Sequence, residues 1–241
     1  PQLWRYTNLI QRSLANVDAL LAPSEYTAQQ HRAAGLATPI EVLPTFSSLE
    51  PGSPVRRVRR ERPCFVFVGR ITASKGIGVL LEEFAQLPAF DLDVIGDGEL
   101  RHGLKEQYAG HRHIRFLGSV PQRELIDAYQ SATALILPSL APEVFPLTVL
   151  EALACGTPAV VHDAGGNREA VEKTGGGFVY RSGKELRQFL SALAEDATLR
   201  ETLAQRARSG YERFYTRAQY MARYFRVIDA IGKTKGVTVG A

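Results

Sequence analysis

Two carboxylates, Glu143 and Glu151, stand eight positions apart in the segment EVFPLTVLE. Pro146 between them suits the first turn of a helix, where its missing N–H would have no partner. At about 1.5 Å per residue along a helix axis, the two carboxylates lie roughly 12 Å apart, the reach from a ribose across a diphosphate to a hexose. The N–H groups of the first turn, aided by the positive helix end, then face the phosphates. Glu151 would accept hydrogen bonds from ribose hydroxyls and Glu143 from hydroxyls of a sugar, and neither is needed as a metal ligand. The plain alternative is two surface glutamates. Against it, Glu151 lies in the apolar run VLEALA, where an unpaired charge is costly.

A second group is Gly69-Arg70-Ile71-Thr72-Ala73-Ser74-Lys75-Gly76. A glycine at a strand end lets backbone approach a ligand closely. Arg70 as a bidentate fork and Lys75 as a mobile point charge both have the chemistry to meet a diphosphate. The loop is not a P-loop, since no Gly-Lys-Ser/Thr closes it, and it lacks the Gly-x-Gly-x-x-Gly dinucleotide fingerprint. Taken alone, two basic residues in a loop are more often solvated surface.

These residues need a frame that brings them together. Short apolar runs at Cys64–Val68, Leu92–Ile95, Ile114–Leu117, Ala134–Leu137 and Ala159–Val161 alternate with helical patterns at Val79–Leu87, the stretch ending at Tyr108, Arg123–Ser131, Leu147–Ala154 and Arg168–Glu172. This alternation predicts an α/β fold with a Rossmann-like parallel sheet covered by helices on both faces. Ligands in such sheets bind at the carboxyl ends of the strands, so the loops after Val68, Ile95, Leu117 and Leu137 converge. Upstream, Leu3–Val17 reads as a helix, Ala19–Ala22 and Ile40–Leu43 as strands, and Ser24 as the cap of a helix over Tyr26–Ala34. Two strands and two helices cannot bury a core alone, so they read as the tail of another α/β domain joined through the proline-rich stretch Pro44–Pro63. Lys184–Ile231 is helical in pattern, and its aromatic stripe (Tyr211, Phe214, Tyr215, Tyr220, Tyr224, Phe225) reads as a packing face.

Composition narrows the class. The 241 residues have an ordinary apolar fraction and a net charge of +4. No apolar run approaches the ~18 residues that span a bilayer, and no segment resembles a signal peptide. The sequence opens at Pro1 and reads as a piece of a longer chain. Cys64 and Cys155 sit in apolar segments and read as buried, unlinked thiols suited to a reducing, cytoplasmic compartment. No Cys/His spacing matches a zinc site, and His111-Arg112-His113 reads as solvated surface. The cluster Arg56-Arg57-Val58-Arg59-Arg60-Glu61-Arg62 has the charge for phosphates or peripheral contact with an anionic membrane face, but a solvated linker is the simpler reading. Basic residues are otherwise dispersed without interleaved aromatics, which speaks against nucleic acid.

The segments GRITASKG, VIGDGEL, RFLGSV, ALILPSLAPEVFPLTVLEALACGTPAVV and the Gly-Gly-Asn-Arg-Glu turn at Gly165–Glu169 occur in one order. Together they resemble the C-terminal domain of the family 4 retaining glycosyltransferases of the GT-B fold, over about Cys64 to Tyr215. Residues 18–44 resemble the end of that family's N-terminal domain. The resemblance implies residues 1–50 as the end of an acceptor-side domain, 51–63 as linker, 64–215 as the nucleotide-sugar-binding domain and 216–241 as a helix packing back toward the first domain. It implies Arg70 and Lys75 on the donor diphosphate, Glu143 on the donor sugar, Glu151 on the ribose, and Phe145, Pro146, Leu147 and Thr148 as backbone meeting sugar and phosphates. Gly69 borders the diphosphate, and Gly118 and Val120 fall near the nucleobase. Pro146 departs from the pattern, standing where many members have glycine, and loses one N–H contact.

The implied reaction moves a sugar from a UDP- or GDP-sugar to a hydroxyl of a glycan, lipid or small molecule, without cofactor or bound metal. Arg70 and Lys75 would neutralise the departing diphosphate. The alternatives are a nucleotide-sugar-binding module or inactive partner subunit without transferase activity, and, less favoured, a nucleotide-sugar epimerase on the same fold.

Overall fold

A computed structural model describes residues 13–49 and 60–236. Among the described residues the strands form two parallel sheets. The small one pairs β1 (Leu20–Ala22) with β2 (Ile40–Val42), with α1 (Glu25–Ala33) between them. The large one has six strands: β3 (Cys64–Val68), β4 (Asp91–Ile95), β5 (Ile114–Gly118), β6 (Ala134–Leu137), β7 (Ala159–His162) and β8 (Gly177–Tyr180). Their order is β5-β4-β3-β6-β7-β8, so the chain winds outward from β3 to one edge, returns to β6 beside β3, and winds to the other.

Every strand of the centre is apolar on both sides, as a doubly covered sheet requires. Phe65, Phe67, Ala134 and Ile136 point to one face, where α2 (Ile77–Ala85) and α7 (Gly183–Glu195) cover them. Val66, Val68, Leu135 and Leu137 point to the other, under α4 (Gln122–Ser131), α5 (Leu147–Ala154), α6 (Asn167–Thr174) and α8 (Ala197–Phe214). The short α3 (Arg101–Gln107) follows β4, and α9 (Arg217–Lys235) closes the described chain.

Several local readings need correction. Strand β8 was absent from the expected set because Gly175-Gly176-Gly177 hides a four-residue run. The expected helix over Leu3–Val17 falls outside the described residues up to position 12, as do Arg56, Arg57 and Arg59. Arg60 is not solvated linker, while Arg62 is half exposed. Arg60 pairs with the buried Asp93 at 2.9 Å and reaches Cys64 Sγ and Ser131 Oγ at 3.1 Å each, while Arg62 meets Asp91 at 3.4 Å. Arg115 closes on the other oxygen of Asp93 at 2.7 Å, so this carboxylate is paired from both sides. Nor is the histidine pair free surface, since the His113 ring contacts the Phe84 carbonyl at 2.9 Å and packs on His111. The aromatic stripe divides: Tyr211 and Tyr215 are buried, Tyr220 packs edge-on to Phe46, and Phe225 is 52% exposed. Cys64 and Cys155 are buried and unlinked, and burial pushes both thiols up to about 12.

Three contacts are prominent among those that anchor the first sheet to the large one. Among the described residues the first sheet's own apolar cluster is Ala22, Ala28 and Ile40 with Leu20 and Val42 against them. Leu49 and Ser47, beyond β2, are buried, and Leu49 belongs to the core of the large sheet. Lys235 at the end of α9 pairs with Asp18 at 2.7 Å. The third anchor is a helix cap from afar. The first N–H groups of α1 have no intrahelical acceptor. Ser24 Oγ takes Thr27 N–H at 3.1 Å, and the Glu169 carboxylate of α6 takes Glu25 N–H at 2.9 Å and Tyr26 N–H at 2.8 Å. A carboxylate at this position also meets the positive end of the helix. Glu169→Ala is therefore expected to cost about 1–2 kcal/mol of local stability. Hydrogen exchange should show residues 24–34 losing protection while β3–β7 keep theirs; unchanged exchange in α1 would show that Glu169 holds nothing.

Candidate functional site

The reversal of winding between β3 and β6 leaves a crevice at their carboxyl ends. The loop after β3 (residues 69–76) and the loop after β6 (residues 138–146) form its walls. They are stitched directly: Leu140 and Ala141 N–H both donate to the Ser74 carbonyl, at 3.0 and 3.1 Å. Between them Gly76 turns with φ +68°, and a Cβ there would stand 2.0 Å from the Pro138 carbonyl oxygen. Only glycine permits both the left-handed backbone and this approach.

Across this junction the Lys75 ammonium pairs with the Glu143 carboxylate, and Ser139 Oγ donates to the same oxygen of Glu143. Both side chains are about four-fifths buried. Lys75 and Glu143 were expected on different parts of one ligand; here they engage each other within the crevice. Glu143 is also fixed through its backbone. It bridges to Gly165, and its carbonyl accepts Gly166 N–H at 2.8 Å. Gly165 has φ +61°, and a Cβ on it would lie 2.8 Å from the Glu143 nitrogen and oxygen. The Gly-Gly turn that opens α6 thus seats the Glu143 backbone, while His162 Nδ1 lies 3.0 Å from the Ser139 carbonyl.

The spacing argument for the two glutamates requires revision. Helix α5 begins at Leu147 with Pro146 as its N-cap in extended geometry, so Glu143 stands in the loop and not on the helix axis. A separation computed from helical rise does not apply to it. Proline offers no side-chain cap, which leaves the first-turn N–H groups of Leu147 and Thr148 aimed out of the helix without intrahelical acceptors. Phe145 turns its ring into the core beside Tyr215, with centroids 5.9 Å apart. Around them Leu140, Val144 and Leu147 are half-exposed and give the crevice an apolar lip.

Glu151 lies one and a half turns into α5 and is half-buried. Its charge is not unpaired. Tyr129 Oη donates to its Oε2 at 2.9 Å, and the Ser47 hydroxyl also donates to it. Burial raises the carboxyl above the usual carboxylate range, and these two hydrogen bonds oppose that rise. Arg70 is exposed at the end of β3 and makes no ion pair among the described residues. Gly118 ends β5 and Val120 packs at the margin of the core. Arg101 was not foreseen: its Nη2 would lie 3.2 Å from a Cβ on Gly118, and its Nε is buried without a hydrogen-bond partner among the described residues. Ser139, Tyr129 and Ser47 were likewise not foreseen, since single hydroxyls in LPSL, DAYQ and TFSS carry no motif. The crevice therefore presents cations, hydroxyl-accepting carboxylates and outward N–H groups, the chemistry of a phosphorylated polyhydroxyl ligand. Among the described residues no three His, Cys, Asp or Glu side chains are grouped to hold a metal ion.

Residues 53–210 match the family described as Glycosyl transferases group 1. The chain is 30% identical over 180 residues to the sulfoquinovosyl transferase of Arabidopsis thaliana, covering 73% of this chain and 35% of that protein. It is 33% identical over 189 residues to the D-inositol 3-phosphate glycosyltransferase of Corynebacterium jeikeium, covering 67% and 45%. It thus spans roughly a third to a half of the length of these relatives. Among solved structures, it superposes on the sucrose-phosphate synthase of Thermosynechococcus elongatus with TM-score 0.78 at 23% identity, covering 94% of this chain and 62% of that one. For the Anabaena protein HepE in complex with UDP-glucose the TM-score is 0.77 at 22% identity, covering 92% and 66%. At these identities the superpositions speak for the fold, a GT-B architecture.

Because the two walls meet at Gly76, Gly76→Ala is expected to lower the unfolding free energy by about 2 kcal/mol or more. Urea titration followed by circular dichroism measures it. An unchanged midpoint would show that the junction can move aside.

Proposed function

This chain belongs to the glycosyl transferases group 1 family, and from that premise we propose that it is the donor-binding part of a retaining transferase that takes its sugar from a nucleoside diphosphate. The observation that carries this reading is the Lys75–Glu143 pair across the β3/β6 crevice, with the open N-terminus of α5 beside it. A donor entering there exchanges the pair for ligand contacts: Lys75 swings to the diphosphate, joined by Arg70, and Glu143 accepts sugar hydroxyls. The N–H groups of Leu147 and Thr148 meet phosphate or sugar oxygens, Glu151 accepts the ribose hydroxyls, and the base lies toward Gly118 and Val120. That relatives are named sulfoquinovosyl transferase and D-inositol 3-phosphate glycosyltransferase, and that HepE was solved with UDP-glucose, supports a nucleotide-sugar donor here.

In the reaction the bond between the anomeric carbon and the β-phosphate oxygen breaks, and its electron pair leaves with the diphosphate. Arg70 and Lys75 stabilise that charge in a cleft partly shielded from water. The acceptor hydroxyl bonds to the anomeric carbon on the face the phosphate leaves, and its proton passes to the departing phosphate oxygen. The configuration is thereby retained. The acceptor is a hydroxyl of a glycan, lipid or small molecule, approaching past the lip of Leu140, Val144 and Leu147.

In the intact enzyme, Arg70→Ala and Lys75→Ala are each expected to cost about 1.5–3 kcal/mol in kcat/KM, roughly ten- to a hundredfold. Glu151→Ala should chiefly raise the donor KM, and Glu143→Ala should chiefly lower kcat. A radiolabelled-donor assay, with the product anomer read by NMR, checks all of these. Full activity in the double variant of Arg70 and Lys75, or an inverted product, would contradict the reading; donor binding without transfer in the intact protein would point to a binding module.

A further inference from the structure

The hydrogen bonds around Glu151 exceed what holding a helix in place demands. Tyr129 is fully buried, and its ring fills the core between α4 and α5 while its hydroxyl ends on Glu151 Oε2 at 2.9 Å. Burial, then the Glu151 charge, push the phenol well above its ordinary range, so it remains a proton donor at any working pH. Ser47 reaches the same carboxylate from a different part of the chain, the segment that leaves β2 and enters the core of the large sheet. Its own oxygen accepts Leu49 N–H at 2.9 Å, which leaves the hydroxyl proton free to go to Glu151. Both donors are therefore held before any ligand arrives.

A carboxylate offers about four lone-pair directions. Two are taken by these hydroxyls, and two are left. A ribose presents two adjacent hydroxyls, at its 2′ and 3′ positions, each able to donate once. We propose that Tyr129 and Ser47 are positioning residues for the nucleotide: their hydroxyls donate to the Glu151 carboxylate and turn it so that its free lone pairs meet a ribose diol. This rests on the reading of Glu151 as the ribose acceptor. It adds that specificity for a ribonucleotide is set one layer behind the ligand, and that one of the two supports comes from the segment joining the two sheets.

The same arrangement fixes how binding responds to pH. The groups facing Glu151 are Tyr129 from α4, Ser47 from the joining segment and Cys155 one turn along α5; Arg208 of α8 reaches the neighbouring Ala154 carbonyl. A protonated Glu151 has an O–H where a lone pair is needed, so ribonucleotide affinity falls as pH drops through its titration. Removing a hydroxyl that stabilises the charged form moves that fall to higher pH.

The test uses this chain and calorimetric titration with uridine and guanosine diphosphates and their 2′,3′-dideoxy counterparts. The unmodified chain is expected to prefer the ribonucleotide by about tenfold, the worth of one or two hydrogen bonds to a charged group. Tyr129→Phe and Ser47→Ala should each weaken the ribonucleotide about threefold or more. The dideoxy form should be left within about twofold, and the acid limb of ribonucleotide binding should shift upward in pH. If the unmodified chain binds both forms equally, or neither, Glu151 is not the ribose acceptor and the proposal fails with that reading. If the preference exists but both variants keep it, or lose both forms alike, the hydroxyls are only a cross-link and the proposal alone is overturned.

Discussion

Lys75 and Glu143 come from loops that follow β3 and β6, strands adjacent in space but separated by two complete excursions of the chain. Their meeting depends on the order of the sheet. A parallel sheet wound outward twice from its middle must leave a gap where the windings diverge, and every loop bordering that gap leaves from a strand's carboxyl end. The ion pair sits at that gap. It draws a cation and a carboxylate into one crevice, and the two need only separate to offer themselves to a ligand carrying phosphate and hydroxyl groups. The two central strands, β3 and β6, are apolar on both faces, and the buried Asp93 in the middle of β4 is paired with Arg60 and Arg115.

The same crevice is linked to the first sheet. The turn at Gly165–Gly166 holds the Glu143 backbone, and the helix that turn begins carries Glu169, whose carboxylate caps α1. Ser47, which supports Glu151, lies in the segment between the sheets. Two of the carboxylates at the site are thus seated by parts that also fix the first sheet against the second. Such shared seating ties the geometry of the crevice to how the two sheets stand against each other.

Much of this was legible in the residues. The alternation of short apolar runs with amphipathic stretches gave the α/β sheet because each central strand is apolar on both faces, a pattern that length and β-branched content distinguish from helix. Glycines at strand ends marked the loops, and the carboxylates and cations fell where those loops converge. What escaped was of two kinds. Strand β8 and the N-cap role of Pro146 are local outcomes that tertiary pairing decides. The partners of Glu151, the capping by Glu169 and the guanidinium of Arg101 over Gly118 join residues from 17 to 144 positions apart, and no spacing in a single sequence announces such contacts. The costly charge foreseen in VLEALA was a sound argument with an incomplete answer, for the charge has protein partners already.

The central claim is that a nucleoside diphosphate occupies the β3/β6 crevice. Amide chemical-shift mapping of this chain, titrated with uridine and guanosine diphosphates, tests it most directly. The expected result is saturable shifts concentrated at Gly69–Gly76, Gly118–Val120 and Phe145–Glu151, with the amino ends of the strands unmoved. Shifts gathered instead around Arg60, Arg62 and Arg200 at the opposite end of the sheet, or no shifts at millimolar nucleotide, would contradict it.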